Sequence, residues 1–272
     1  MTTQAEKGAR FAALHARDKA FIIPNPWDVG TARLFQGMGF EALATTSAGF
    51  AFTLGKADST PTLEEKLAHC EALAAGTDIP VAADFEDGFA SRPEDVAANV
   101  TRLAGTGVVG CSIEDYDREA GSIHELELAV ERVQAAVEAA AALDFPFTLT
   151  ARAEHLLRGG KDVDDALRRL QAYEGAGAQV LYAPGLSSLD DIRTVTSSLE
   201  RPVNVLAGFT PGARLADYEA AGVRRVSVGS LLTYVAADPV MAAADAMLAD
   251  GSFDWIAQAG SAGRLQTLVK GG

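Results

Sequence analysis

Two hydrophobic periodicities alternate along this chain. Short apolar runs rich in Val, Ile, Leu and Ala are separated by longer segments in which apolar residues recur every three or four positions. The first pattern is typical of buried strands and the second of amphipathic helices. The sequence predicts eight strands: Ala20–Pro24, Ala42–Ser47, Pro80–Phe85, Val108–Glu114, Phe147–Arg152, Gln179–Pro184, Pro202–Leu206 and Arg224–Gly229.

Helix signals occupy the intervals between these strands. Pro61 opens one helix, with Thr60 as its expected N-cap, and Pro93 lies in the first turn of another. Three further segments have helical patterns: Thr3–His15, His124–Ala142 and Asp162–Gly175. The first of them precedes the first strand, so we expect it to cap the bottom of the structure.

Eight strands that alternate with helices predict a (β/α)8 barrel of the TIM type. A doubly wound sheet is the alternative, but it would usually have fewer strands, and no GxGxxG follows the first one. No linker rich in Pro, Gly or Ser divides the chain, so we expect residues 1–272 to form one domain. Residues 230–272 form a helical tail longer than one barrel helix, which we expect to pack on a neighbouring subunit.

Composition limits the kinds of binding partner and the cellular compartment that we expect for this protein. The 272 residues carry a net charge of −14, which disfavours nucleic acid and anionic membranes as partners. The two cysteines, Cys70 and Cys111, form no CxxC pair. The N-terminus has no signal-peptide pattern, and no segment approaches the roughly 18–20 uninterrupted apolar residues of a membrane span. We therefore expect a cytoplasmic protein.

Charged residues lie where three adjacent predicted strands end. Asp84 and Glu86 follow the third strand, Glu114 ends the fourth and Arg152 ends the fifth. Because the carboxyl ends of barrel strands surround one space, these side chains should converge. Several carboxylates there favour a divalent cation, and an arginine beside them can clamp an anionic substrate. In an extended chain, Glu86 would face the same side as Asp84.

Polar residues at other strand ends are further candidates. Thr46, Ser47 and Ala48 follow the second strand, where hydroxyl and N–H groups could cradle a carboxylate or an oxyanion. Asn204 interrupts an otherwise apolar strand and needs polar partners, so substrate binding and a structural role are both open. Asp58 lies in a polar loop and, by itself, is indistinguishable from a turn residue.

Taken together, these motifs resemble the isocitrate lyase/phosphoenolpyruvate mutase superfamily over nearly the full length. The matching segments are PNPWDVGTARL, TTSAGFAFTLGKAD, PVAADFEDGF, SIED, LTARAE and GVRRVSVGS. The resemblance implies a barrel that exchanges its last helix with a partner subunit, in a homodimer or homotetramer. It also implies Mg²⁺ or Mn²⁺ as cofactor and a small 2-oxo or 2-hydroxy carboxylic acid as substrate.

The resemblance also assigns roles to residues. Asp84, Glu86 and Glu114 match the acidic residues around the metal, Glu86 replacing the second aspartate of the family's Asp-x-Asp. Thr46, Ser47 and Ala48 match the segment that holds the substrate carboxylate, with Asn204 as our additional substrate-binding candidate. Arg152, Asp58 and Glu114 are the expected catalytic residues. The implied mechanism stabilises an enolate as a carbon–carbon bond is cleaved or formed.

The loop after the fourth strand departs from the family pattern. Residues 116–124 lack the Lys-Cys-Gly-His segment of the lyases, so the general acid or base stays open among Tyr116, Arg118, His124 and His155. Carbon–carbon lyase activity is the leading expectation. A phosphonate P–C bond enzyme, either a mutase or a hydrolase, is one alternative. A simple 2-oxo acid decarboxylase is a second, and a non-catalytic carboxylate-binding paralogue is a third.

Overall fold

Eight parallel strands form a nearly closed barrel in this computed structural model, which describes residues 2–260 and 262–270. The barrel strands are β1 (Phe21–Ile23), β2 (Leu43–Ala44), β3 (Val81–Asp84), β4 (Gly110–Glu114), β7 (Thr148–Arg152), β8 (Val180–Tyr182), β9 (Val203–Leu206) and β10 (Arg225–Ser227). Their order in the sheet is β1-β10-β9-β8-β7-β4-β3-β2. The amide of Ala44 donates to the carbonyl of Pro24 over 3.1 Å, which joins the two ends of the sheet.

All eight predicted strands are confirmed, and the doubly wound alternative is wrong. Every barrel strand pairs with its neighbour in chain order, without the order reversal of a doubly wound sheet. An additional antiparallel hairpin, β5 (Tyr116–Asp117) and β6 (Ser122–Ile123), was not predicted. It occupies the loop that departs from the family pattern.

Helices surround the barrel and largely match the expected segments. They are α1 (Gln4–His15), α2 (Val29–Gly37), α3 (Ser47–Thr53), α4 (Leu63–Gly76), α5 (Pro93–Ala104), α6 (Leu126–Ala141), α7 (Val163–Gly175), α8 (Leu189–Ser197), α9 (Leu215–Ala220), α10 (Leu231–Asp250) and α11 (Ala262–Lys270). The expected N-cap at Thr60 is wrong. Thr62 caps α4, because its side chain accepts from the amide of Glu65 while the Glu65 carboxylate accepts from the amide of Thr62.

Helix α1 closes the amino-terminal end of the barrel, as expected. Phe11 is fully buried in an apolar cluster with Phe21 and Ile23 of β1. His15 also lies inside, where its Nε2 accepts from the guanidinium of Arg225, 3.2 Å away, and its Nδ1 donates to the carbonyl of Phe11. Burial lowers the pKa of His15 to about 3, so the imidazole is neutral and suited to accept. The carboxyl ends of the strands, where barrel enzymes place their active sites, lie at the opposite end.

The C-terminal tail is divided between packed and exposed helices. Helix α11 packs on α2 of the same chain, so closely that a β-carbon on Gly37 would lie 2.3 Å from the carbonyl oxygen of Leu268. Helix α10 has Thr233 as its only buried residue. By length and composition α10 could cross a membrane, although Asp238, Pro239 and Asp245 interrupt its apolar character.

Candidate active site

The carboxyl ends of three adjacent strands bring Asp84, Glu114 and Arg152 together. In the parallel register, Asp84 of β3 lies beside Ser112 of β4, and Glu114 of β4 lies beside Arg152 of β7. These positions are the last residues of their strands, where barrel enzymes place their active sites. The predicted convergence of these three side chains is what the sheet register produces.

Arg152 occupies the centre of this group. Its Nη1 lies 3.3 Å from Oδ1 of Asp84 and 3.4 Å from Oε2 of Glu114, while its Nε donates to the carboxylate of Glu154. Arg158 adds a second cation, 3.1 Å from Glu154 and 3.5 Å from Glu114. Burial would lower the pKa of Arg152, but its three carboxylate neighbours raise it well above the ordinary value. The guanidinium therefore stays charged.

Two of the three carboxyl groups around Arg152, those of Asp84 and Glu114, have pKa values shifted in opposite directions. Burial works to raise the pKa of Asp84, but Arg152, Lys66 and a hydrogen bond from the amide of Ser47 outweigh it, so the pKa falls below its ordinary value. Burial raises the pKa of Glu114 well above its ordinary range, and the neighbouring carboxylates add to the rise while Arg152 opposes it. Asp84 is therefore the carboxylate that ionises more readily, and Glu114 the carboxyl that holds a proton more readily.

The prediction that Glu86 faces the same side as Asp84 assumed an extended chain, but strand β3 does not continue to Glu86. The strand ends at Asp84, and Glu86 has a positive φ of 49°. The residue is 4% exposed, and its Oε2 lies 3.7 Å from Arg118 without a hydrogen-bond partner. Burial raises its pKa to about 7. A buried carboxylate oxygen with an unmet bonding capacity is the kind of group that a cation or a water of its shell could satisfy.

The three predicted metal carboxylates do not form a shared ligand set. Within residues 2–260 and 262–270, no group of three His, Cys, Asp or Glu side chains is placed to hold a metal ion. Arg152 stands between Asp84 and Glu114, and Glu86 is turned towards Arg118. Mg²⁺ commonly binds through one or two carboxylates, waters and substrate oxygens. The residues present fit a metal of that kind, held by Asp84, better than an all-protein cage.

A cavity of about 280 Å³ opens above this group at the barrel mouth. It is lined on one side by the predicted substrate-binding segment, Thr46, Ser47 and Ala48. Asp58 reaches its rim as an exposed side chain that accepts from the amide of Ser59, so it also acts as the turn residue that its sequence context allowed. The mouth is large enough for a small carboxylic acid.

Asn204 lies deeper than the substrate-binding prediction requires. It faces a smaller cavity of about 60 Å³ inside the barrel and does not line the mouth. Its amide donates to Ser227 over 3.0 Å and accepts from Nε of Arg225 over 2.9 Å. Both ends of the amide are thus satisfied by the protein, which favours the structural role.

None of the four acid–base candidates lines the mouth cavity. The ring of Tyr116 is covered by the guanidinium of Arg158, 3.6 Å from its centroid. Arg118 contacts Asp87 and the ring of Phe89. His124 is buried in the loop, and His155 faces Asp165, 3.6 Å away. The lining of the mouth cavity therefore supports none of the four as the general acid or base.

Sequence reasoning missed one buried cation beneath the site. Lys66 of α4 is fully buried and donates to Thr45 over 3.2 Å, and the Thr45 hydroxyl also accepts from the amide of Asp84. The signal was present in the sequence. Lys66 shares its helical face with the buried residues Cys70 and Leu73, four and seven positions on, where an apolar residue is the rule.

Comparison with known proteins identifies the family. The profile described as phosphoenolpyruvate phosphomutase matches residues 11–248. The chain therefore belongs to the phosphoenolpyruvate mutase family, within the superfamily that also contains the isocitrate lyases. The resemblance read from the motifs is confirmed.

Relatives share the fold over most of the chain. A crystal structure from Burkholderia cenocepacia J2315, provisionally described as a lyase/mutase, is 47% identical with a TM-score of 0.93 and covers 97% of this chain and 95% of its own. A probable 2-methylisocitrate lyase of Corynebacterium glutamicum is 31% identical over 76% of this chain and 67% of its own length. A phosphonopyruvate hydrolase in complex with oxalate and Mg²⁺ is 22% identical, with a TM-score of 0.86, and covers 100% and 96%. That last likeness shows the fold alone.

Proposed function

We propose that this chain is a Mg²⁺-dependent lyase that cleaves or forms a carbon–carbon bond of a small 2-oxo or 2-hydroxy carboxylic acid. The observation that carries the proposal is the position of Arg152, a charged guanidinium at the floor of the mouth and within 3.4 Å of Asp84 and Glu114. A buried arginine with donors left for an anion suits the stabilisation of an enolate oxygen.

Different residues of the site would have different roles in such a reaction. Asp84 would hold the metal, with Glu86 and Glu114 acting on its water shell. When bound, Mg²⁺ supplies positive charge that polarises a substrate oxygen. Thr46, Ser47 and Ala48 line the side of the cavity where the substrate carboxylate would sit. Arg152 would then face the oxygen on which negative charge develops.

We place carbon–carbon chemistry first because a relative at 31% identity is named as a probable 2-methylisocitrate lyase. P–C chemistry stays the second candidate, because the matching family model is described as phosphoenolpyruvate phosphomutase and a structure at 33% identity is provisionally described as a phosphonomutase. We extend the proposal to assembly: the exposed helix α10 supports a homodimer or homotetramer in which this helix packs on a neighbouring subunit.

Thermal stabilisation by oxalate, an enolpyruvate mimic, tests the metal–enolate proposal. With Mg²⁺ and oxalate near 100 times its Kd, the melting temperature should rise by about 5–10 °C, and EDTA should abolish the rise. Asp84→Ala should lose the shift, because it removes the ionised ligand. Asp144→Ala, which changes an exposed aspartate away from the mouth, should keep it.

Three kinds of outcome would contradict this function. If oxalate fails to stabilise the wild type, or stabilises Asp84→Ala equally, the metal–enolate site is not there. Phosphonopyruvate turnover followed by ³¹P NMR, without turnover of oxaloacetate or other 2-oxo acids, would replace carbon–carbon with P–C chemistry. Oxalate binding without any turnover would identify a carboxylate-binding protein.

A further inference from the structure

Arg225 of β10 is a cation inside the barrel whose hydrogen-bond partners are all neutral. The residue is 6% exposed. Its Nε donates to the amide oxygen of Asn204 over 2.9 Å, and its Nη2 donates to the hydroxyl of Thr150 over 3.1 Å. Its Nη1 donates to Nε2 of the neutral His15. Burial lowers the pKa of Arg225 only to about 10, so the guanidinium is charged at physiological pH. A buried charge of this kind is costly unless an opposite charge lies beside it.

The carboxylates of the barrel interior lie beside the other buried arginine, Arg152. Asp84, Glu114 and Glu154 all contact its guanidinium. Among the described residues that line the smaller cavity inside the barrel, Asp84 is the only carboxylate, and its Oδ1 lies 3.3 Å from Arg152. No ion pair is formed by Arg225 in the same part of the chain. The protein therefore supplies negative charge to Arg152 and leaves the charge of Arg225 uncompensated.

The polar groups around Arg225 have hydrogens left to donate. A guanidinium has five N–H donors, of which three are used by the partners named above. The hydroxyl of Thr150 and the amide nitrogen of Asn204 each carry a further hydrogen, for which residues 2–260 and 262–270 offer no acceptor. A water molecule placed there would add two more donors, whereas an anion only accepts hydrogen bonds. The donor set therefore favours an anion.

The smaller cavity gives an anion room beside these donors. It has a volume of about 60 Å³, and Arg225, Thr150 and Asn204 all line it. A group of about the size of water needs only ~10–15 Å³ of such space. The cavity shares Asp84 and Arg152 with the lining of the mouth cavity, so an ion would enter from the barrel mouth. Arg225 itself does not line the mouth, which separates this position from the proposed substrate site.

We propose that the barrel interior binds one monovalent anion of the size of chloride, with Arg225 as its charged ligand and Thr150 and Asn204 as hydrogen-bond donors. The anion neutralises the guanidinium within the core. Because the unfolded chain has no such cavity, the anion binds the folded state and stabilises it. Neither Mg²⁺ nor a carboxylic acid takes part, so this binding does not depend on the proposed function.

Thermal unfolding of the full-length protein in halide salts tests the anion site. The protein is kept in EDTA and sodium gluconate, whose anion is too bulky for the cavity, and gluconate is replaced stepwise by sodium bromide or chloride. At constant ionic strength the screening of surface charges does not change. The melting temperature should rise by about 3 °C and reach a plateau. Arg225→Met removes the charge and keeps an apolar side chain of similar length, so this rise should be lost.

Arg224→Met is the matched control. It makes the same chemical change at the neighbouring arginine, which is half-buried, does not line the interior cavity and lies at the amino-terminal end of the barrel. The halide-dependent rise should be kept in this variant. A wild type without any rise would overturn the anion site. A rise that survives in Arg225→Met, or is lost in Arg224→Met alone, would place halide binding elsewhere and overturn it as well.

Crystals of the wild type grown in sodium bromide locate the anion without any substitution. An anomalous peak is expected within hydrogen-bonding distance of the Arg225 guanidinium and the Thr150 hydroxyl. This measurement decides the matter if Arg225→Met does not fold. Bromide peaks confined to the protein surface, with water beside Arg225, would identify an adventitious ion only and would overturn the assignment.

Discussion

At the residue scale, the site consists of buried carboxyl groups and the cations that lie beside them. Asp84, Glu114 and Arg152 could be located from the sequence, because each directly ends an apolar strand and the strand register then fixes its neighbours. Glu86 could not be placed in the same way. The alternation rule holds only while the chain is extended, and Glu86 adopts a left-handed conformation just past the strand end. Its isolation from Arg152 follows from that turn.

Glu86→Gln should make the metal-free protein more stable at alkaline pH. Burial raises the pKa of Glu86 from 4.5 to about 7, so between these values the folded state keeps a proton that the unfolded state has released. The free energy of unfolding therefore falls as pH rises through this window, by on the order of 3 kcal/mol in total. Because glutamine does not ionise, Glu86→Gln should remove this fall in the free energy of unfolding. Urea denaturation at several pH values between about 4 and 8 measures it.

Glu71→Gln serves as the control for this substitution. Glu71 is an exposed glutamate of α4, and its replacement should leave the pH dependence of unfolding as in the wild type. If Glu86→Gln keeps the wild-type fall in stability between pH 4.5 and 7, Glu86 is ionised in the folded state and its assigned environment is wrong.

At the element scale, long apolar segments were predictable and short polar ones were not. The strands were recovered because each is a buried apolar run between helix signals. The hairpin β5–β6 has only two residues in each strand, and its polar residues give no periodicity. Tertiary contacts define it: Arg118 stacks 4.1 Å from the centroid of Phe89 and lies 3.5 Å from Asp87. Such contacts have no local signature.

Arg118→Ala should loosen this hairpin without unfolding the barrel. The substitution removes the stacking on Phe89 and the ion pairs with Asp87 and Glu86, a cost of about 1 kcal/mol in total. Amide hydrogen exchange followed by mass spectrometry should accelerate over residues 116–123 and stay unchanged in the barrel strands. Arg193→Ala, at an exposed i,i+3 ion pair of α8, should leave hairpin exchange unaltered. Equal hairpin protection in Arg118→Ala would show that backbone bonds alone hold it.

At the scale of the whole molecule, the barrel buries its own core but leaves one long apolar helix uncovered. Strand order, closure and the capping role of α1 were all derivable from the alternation of strands and helices. The position of the tail could be derived only in part, because α11 packs on α2 of the same chain while α10 stays exposed. Exposed apolar side chains continue along α10, among them Val235, Val240, Met241 and Leu248. A long exposed apolar helix of this kind is costly in water and usually marks an interface.

The assembled protein should therefore have a mass that is a multiple of the 28.3 kDa chain. Multi-angle light scattering after size exclusion measures it directly. Val240→Glu combined with Leu248→Glu changes side chains that are 68% and 86% exposed, so the single chain should still fold, but two charges in a buried interface should yield monomers. Ala141→Glu with Ala142→Glu adds the same charges at the exposed end of α6 and should preserve the assembly. A wild-type mass of one chain would show that α10 is not covered by a second copy. Assembly that survives the double substitution would place the interface on another surface of the barrel.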